Sequence, residues 1–250
     1  MNIKAQIPNL FTMLNLFCGC VALVMLSYLR FDLAFYFVSL GIFFDFFDGF
    51  FARKFGVAGP LGVQLDSLAD MVTSGIVPGY AMFLMLYDIE FFEIVSVQHK
   101  FNSNTIFYLP FFGFLISLGA CYRLAKFNID TRQSDSFIGL PTPANALFIT
   151  SLPLVMGLRL FDNVWIEDYL NNKWVLVAIT ILSAYVMNAE IPLFSLKIKN
   201  FSFAKYKLQI FFLALSVLML IFLQILAVPL IIIIYVLLSI VDNQLKITAK

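Results

Sequence analysis

Apolar runs about as long as a bilayer is thick recur along this chain, and no other feature limits its fold as strongly. A hydrocarbon core roughly 30 Å thick is crossed by roughly 20 predominantly apolar residues in a helix, and only helices or closed barrels satisfy the backbone in lipid. Such stretches lie near residues 10–29, 32–53, 66–87, 107–127, 142–160, 174–196, 208–226 and 228–242. The last pair is hinged at Pro229, with Ala227 to Leu230 as almost its whole turn, so eight spans are expected, or seven if that turn fails. Composition agrees: 62% of the 250 residues are hydrophobic and 12% are charged, with a mean hydropathy of +0.94. Soluble domains run at about 45–50% and about 25%. The expected fold is an all-α integral membrane protein, a bundle of about eight transmembrane helices forming one domain over residues 1–250. The last two helices, 208–242, are expected at its periphery, and the first run, which follows Lys4, is read as a retained anchor.

A net charge of +1 provides no field that would gather nucleic acid. The distribution of charge says more. With eight spans, one side receives Lys4, Arg53, Lys54, Arg123, Lys126, Arg132, Lys197, Lys199, Lys205, Lys207, Lys246 and Lys250. The other receives Arg30, Lys100, Arg159 and Lys173, together with Asp88, Glu90, Glu93, Asp162, Glu167 and Asp168. The positive-inside bias therefore puts both termini in the cytoplasm.

Carboxylates inside spans cost at least about 2.5–3.5 kcal/mol each on insertion scales, and this chain has four close together. Asp45 and Asp48 sit in the second run and Asp66 and Asp70 open the third, at spacings of three and four that place each pair on one helical face. Lys54 to Leu61, with Gly56, Gly59 and Pro60, reads as a tight hairpin, so the two helices are neighbours. The four aspartates can then converge in one polar pocket facing the cytoplasm. Clustered negative charges repel unless a cation neutralises them, and all-oxygen ligation suits Mg²⁺, Mn²⁺ or Ca²⁺ better than zinc. Gly49 and Ala52 leave room beside Asp48, and Arg53 offers a planar cation to a phosphate. Metal, small residues and an arginine together suit a diphosphate.

The pattern Asp45-x2-Asp48-Gly49-x2-Ala52-Arg53-x8-Gly62-x3-Asp66-x3-Asp70 resembles the complete signature of the CDP-alcohol phosphatidyltransferase family. The resemblance implies a membrane enzyme that transfers a phosphatidyl group from a CDP-linked lipid to an alcohol and releases CMP. It assigns Asp45, Asp48, Asp66 and Asp70 to a divalent cation (Mg²⁺ or Mn²⁺), makes Asp70 also the general base, and places Gly49, Ala52, Arg53 and Gly62 around the nucleotide and its diphosphate. Four further pieces, Ile7 to Thr12, Gly62 to Asp70, Arg123 to Asn128 and Gly139 to Ala144, resemble the membrane-integral phosphatidylserine synthase branch. Lys126 stands where arginine is commoner, which keeps the charge and loses the bidentate fork. That branch implies CDP-diacylglycerol and L-serine as substrates, membrane lipid as surroundings, a homodimer, and a prokaryotic cytoplasmic membrane. Sister enzymes that use glycerol 3-phosphate or inositol phosphate are the nearest alternative.

Arg123, Lys126 and Asn128 close the fourth run level with the carboxylates and are candidates for the acceptor or the lipid phosphate, with snorkelling as the plainer role. Gly139-Leu-Pro-x-Pro reads as a restrained turn before the fifth run, and Glu190 falls in the sixth beside Pro192. His99 is a loop histidine, Ser67 and Ser74 make packing or polar contacts, and Cys18, Cys20 and Cys121 are small apolar-run residues with no metal or disulfide role. A transporter is the rival of another class, since intramembrane carboxylates also make ion routes. The absence of evident repeats and the clustering at one membrane face argue against it.

Overall fold

The computed structural model describes residues 3–98, 107–130, 137–157, 164–194 and 207–245. His99, Lys100, Arg132, Arg159, Lys197, Lys199, Lys205, Lys246 and Lys250 lie outside the described residues, as do parts of the 88–106 and 128–141 loops.

The chain begins with two long helices, α1 (Ile3–Ser27) and α2 (Phe31–Phe55). Gly56 ends α2 at φ 63°, with its N–H on the Arg53 carbonyl and the Val57 N–H on that of Ala52. This 6→1 and 5→2 pairing satisfies carbonyls that the helix end leaves free, and glycine takes the left-handed geometry without a Cβ penalty. Pro60 then occupies the first turn of α3 (Pro60–Asp70), where its missing N–H costs nothing. Gly56 and Pro60 therefore build the expected turn between the aspartate pairs, but α2 and α3 pack on α1 far more than on each other. A π-helical turn, Met71–Ile76, joins α3 to α4 (Val77–Gln98).

A 3₁₀ segment, Leu109–Phe114, leads into α5 (Leu115–Ile129). Strand β1 (Phe137–Ile138), α6 (Thr142–Met156), α7 (Val164–Leu170), α8 (Lys173–Asn188) and β2 (Pro192–Leu193) follow. The strands pair antiparallel, Phe137 with Leu193 and Ile138 with Pro192. Gly139 continues the pairing at φ 74°, donating to the Ile191 carbonyl, and the Leu140 N–H reaches the Val186 carbonyl in the last turn of α8. The Gly-Leu-Pro-x-Pro run is thus a clasp on the end of α8 as well as a turn. Glu190 falls just past that end, outside a helix, and so corrects the expectation that it sits within the sixth run.

The chain closes with α9 (Lys207–Leu223), a 3₁₀ turn at Gln224–Leu226, and α10 (Ala227–Leu245). The Phe212 and Tyr235 rings lie 5.5 Å apart, whereas a continuous helix would separate them by about 34 Å. The two helices therefore fold back on one another. The break is at Gln224, whose φ is 50°, and not at Pro229, which sits in the tolerant first turn of α10. Phe194 beside β2 packs on both rings, and the Tyr235 hydroxyl donates to its carbonyl at 3.0 Å.

Among the described residues, four helical runs are long and apolar enough to cross a membrane: Gln6–Ser27, Phe31–Phe55, Pro60–Glu93 and Lys207–Gln244, the last being the folded-back pair. Helices α6 and α8 are apolar but shorter, about 22–24 Å at 1.5 Å per residue. The architecture is an all-α membrane bundle. One buried cluster joins α4, α5, α6 and α8 through Met82, Leu86, Ile116, Ile149 and Leu176; a second joins α1, α2, α4 and α6 through Leu26, Val38, Val77 and Ala146. Phe17, Phe43, Phe46, Phe211 and Phe222 stay exposed as a lipid-facing surface. Helices α1 and α2 approach the π turn closely because Gly19 and Gly41 present no side chain. A Cβ on Gly19 would collide with the Thr73 hydroxyl, and one on Gly41 would lie 2.9 Å from Asn15 Oδ1 and from Thr73 Cγ2. Small residues at such crossings let membrane helices associate by backbone contact.

Candidate metal and diphosphate site

The α2–α3 hairpin brings Asp45, Asp48 and Asp66 together, with one carboxylate oxygen from each lying within 4.8 Å of the others. The Asp45 and Asp66 side chains are in hydrogen-bonding contact. Asp66 Oδ1 is buried and has no hydrogen-bond partner among the described residues. Two carboxyl groups in contact, a third beside them and an unused buried oxygen make a set of hard donors that fits a hard divalent cation.

The fourth aspartate stands apart from this triad. Asp70 is one turn further along α3, buried, and accepts a hydrogen bond from Asn15 Nδ2 at 3.1 Å. It remains within charge range of Asp48 and Asp66, and of Arg123 on α5. Arg123 is itself buried, its Nε has no partner among the described residues, and its guanidinium lies 5.9 Å from the Phe127 ring.

A cavity of about 290 Å³ opens beside the triad. Asp48 and Asp66 line it, together with Gly49, Ala52, Arg53 and Gly62, so the four residues assigned by resemblance to the nucleotide border one cavity. At Gly49 a Cβ would come within 3.3 Å of the Arg53 guanidinium. A side chain there would crowd that cation.

The other acceptor candidates behave differently. Lys126 pairs with Glu190 at 3.5 Å, across to the end of α8. Asn128 donates to Ser67 Oγ at 2.9 Å, a contact that ties the end of α5 to α3 near the surface. Of the three, Arg123 is brought to the aspartates, while Lys126 and Asn128 spend their polar groups on neighbouring helix ends.

Residues of α1 complete the site, and sequence reasoning gave them no individual role. Thr12 Oγ1 donates to Asp48 Oδ2 at 2.7 Å, and Asn9 lines the cavity 3.8 Å from where a Cβ on Gly62 would lie. The available signal is spacing: Asn9, Thr12 and Asn15 form a polar stripe at intervals of three on an otherwise apolar helix.

The family model for CDP-alcohol phosphatidyltransferase matches residues 5–166, which include α1, the whole hairpin, α5 and α6. The chain belongs to the CDP-alcohol phosphatidyltransferase family. Among its relatives in that family is a CDP-diacylglycerol–serine O-phosphatidyltransferase of Bacillus subtilis, 36% identical over 141 residues, covering 55% of this chain and 69% of the relative. The enzyme of that name from Helicobacter pylori is 30% identical over 219 residues, 87% of this chain and 81% of the relative. An archaetidylserine synthase of Methanothermobacter thermautotrophicus is 29% identical over 151 residues, 59% of this chain and 58% of the relative.

Proposed function

We propose that this protein transfers the phosphatidyl group of CDP-diacylglycerol to the hydroxyl of L-serine, giving phosphatidylserine and CMP. The observation that carries this reading is the aspartate triad, two of whose members, Asp48 and Asp66, line a cavity shared with Gly49, Ala52, Arg53 and Gly62, inside the segment that matches the family. Serine as acceptor is supported by the relatives that carry that activity in their names.

On this reading Asp45, Asp48 and Asp66 hold Mg²⁺ or Mn²⁺, with Asp70 as a further ligand by way of its free oxygen. The bound cation would supply charge neutralisation for the diphosphate and the departing CMP. Arg53 pairs with a phosphate oxygen, and the bare faces of Gly49, Ala52 and Gly62 let the diphosphate approach the helices. Arg123 holds the serine carboxylate. Asp70 takes the proton from the serine hydroxyl as that oxygen attacks the lipid-side phosphorus. Asn128 and Lys126 border the acceptor side and act through the ends of α3 and α8.

All 250 residues form one membrane domain of eight spans, with the α9–α10 pair peripheral. The ion pairs support this arrangement: Lys173 joins Glu93 at one end of the bundle, while Lys126 joins Glu190 at the other, near the site. Both termini and the site then face the cytoplasm of a prokaryotic cell, and the enzyme works as a homodimer. The deciding assay is CMP release by purified protein from CDP-diacylglycerol, with L-serine, glycerol 3-phosphate or inositol phosphate offered separately. CMP and phosphatidylserine should form with serine and a divalent cation only. Equal turnover with glycerol 3-phosphate, or full activity in excess EDTA, overturns the reading.

A further inference from the structure

We infer that α1 is the positioning element of the site: Thr12 and Asn15 each engage one oxygen of an aspartate and so decide which oxygen is left for chemistry. The inference rests on the proposed metal-assisted transfer and goes beyond it, since neither residue has a role in that reading.

The geometry is specific. Thr12 Oγ1 lies 2.7 Å from Asp48 Oδ2 and 3.2 Å from the Pro8 carbonyl. A hydroxyl has one proton, and the shorter contact with a carboxylate is the stronger one. Asp48 Oδ2 is thereby engaged, and its other oxygen is left for the cluster with Asp45 and Asp66. One turn deeper, Asn15 Nδ2 takes Asp70 Oδ1 and leaves Oδ2.

Asn15 is fully buried and held from three directions. Its carbonyl accepts from Thr73 Oγ1 at 3.0 Å, which ties α1 to the π turn directly after Asp70. Its Oδ1 lies against Gly41 on α2, 2.9 Å from where a Cβ would stand. That oxygen has no partner among the described residues, so the side chain is retained at the cost of an unsatisfied acceptor. A residue serving only to pack would be apolar in this position. The two donors sit three residues apart on α1 and reach aspartates on two different helices, so α1 sets the spacing between the metal cluster and Asp70.

The test separates the two residues and separates this inference from the function beneath it. Mn²⁺ binding to purified, detergent-solubilised protein is followed by the loss of the free-ion EPR signal, alongside steady-state kinetics and melting in EDTA. Thr12→Val keeps shape and loses the donor, and should weaken Mn²⁺ binding about 10-fold or more, as expected for a lost hydrogen bond to a charged group. Thr12→Ser, which keeps the hydroxyl, should restore binding to within about 3-fold of wild type. Asn15→Ala should weaken Mn²⁺ binding less than Thr12→Val does, because Asp70 is a ligand beside the triad and keeps both its oxygens, and should lower kcat about 10- to 100-fold, with little change in KM for the lipid.

Wild-type Mn²⁺ affinity in Thr12→Val, or equally weak binding in Thr12→Ser, overturns the inference and leaves the proposed function standing. Unchanged kcat in Asn15→Ala overturns it for that residue. Failure of both Thr12→Val and Thr12→Ala to fold also overturns it, by assigning Thr12 to the fold. Absence of Mn²⁺ binding by the wild type removes the metal reading itself, a result distinct from all of these.

Discussion

Asp66→Asn is the substitution for which stability and activity should move in opposite directions. The donor oxygens of Asp45, Asp48 and Asp66 lie within 4.8 Å of one another. Two unit charges at that separation repel by about 3.5 kcal/mol at an effective dielectric constant of about 20. Neutralising Asp66 removes two such repulsions, about 7 kcal/mol if all three carboxylates are ionised, and puts an amide N–H beside Asp45 where a carboxylate had been. A proton shared between Asp45 and Asp66, water and side-chain adjustment in the metal-free protein relieve most of this strain, so a net stabilisation of about 2–3 kcal/mol is expected. For a chain of this size that corresponds to roughly 5–10 °C in Tm. In EDTA, Asp66→Asn should therefore melt above the wild type. With Mn²⁺ at a thousand times Kd the order should reverse, because the wild type gains about 4.1 kcal/mol and the variant gains little. Serine-dependent CMP release should fall at least about 100-fold. The assay is thermal unfolding in detergent with EDTA or Mn²⁺, paired with CMP release. A variant that melts below the wild type in EDTA, or one that keeps wild-type activity, refutes the reasoning.

Arg123→Ala should raise the serine KM far more than the KM for the nucleotide lipid, because the buried guanidinium is within charge range of Asp70; initial-rate kinetics with each substrate varied would show it, and equal effects on both would count against the assignment. Lys126→Ala should cost less than about 1 kcal/mol of stability, since its partly exposed pair with Glu190 spans 3.5 Å; a melting curve checks this. Gly139→Ala should destabilise by about 2–4 kcal/mol. It forces a left-handed φ of 74° on a Cβ, worth about 1–2 kcal/mol, and drives that Cβ against the Met187 and Ala189 carbonyls. A Tm within about 2 °C of wild type would show that the clasp contributes little.

Much of the site was legible because its chemistry is carried by contiguous sequence. The spacing of Asp45, Asp48, Asp66 and Asp70 around Gly56 and Pro60 encodes two helices, the turn between them and the face they share. What was not legible depends on contacts between distant segments. Nothing local in Thr12 or Asn15 says that one meets α2 and the other α3; only their interval of three marks a polar stripe. The π turn at Met71–Ile76 replaces a helix that apolar periodicity reads as continuous, since a single widened turn leaves that periodicity almost unchanged. The reversal at Gln224 was displaced to Pro229 because proline is the conspicuous breaker, although Pro229 fits the first turn of α10. Sequence places Lys126 beside Arg123 but does not show that, one turn of helix from that buried cation, it reaches Glu190.

The order of residues along three helices bears on the route of the reaction. On α3, Gly62, Asp66 and Asp70 follow at intervals of four on one face, so they span about 12 Å. On α1, Asn9 lies near Gly62 and Asn15 binds Asp70, so the two helices run in the same sense beside the site. On α2 the order is reversed: Asp45 is deeper, and Gly49, Ala52 and Arg53 lead outward to the hairpin. The wall proposed for the nucleotide thus occupies one end of this line, the triad the middle, and Asp70 with Arg123 the other end. A phosphorus held at the triad would have its leaving group toward Arg53 and its attacking hydroxyl toward Asp70, on opposite sides as in-line displacement requires. A two-step route would instead need a nucleophilic side chain at the triad with a base of its own. Thr12 donates to Asp48, Thr73 to the Asn15 carbonyl and Ser67 to the Val63 carbonyl, while the buried Ser74 hydroxyl has no hydrogen-bond partner among the described residues and so no base of its own. Transfer from a donor chiral at the lipid-side phosphorus should accordingly invert its configuration, and initial-rate lines for the two substrates should intersect. Retention at phosphorus, or a phosphatidyl group trapped on the protein, would exclude direct attack and require a nucleophile from elsewhere in the chain.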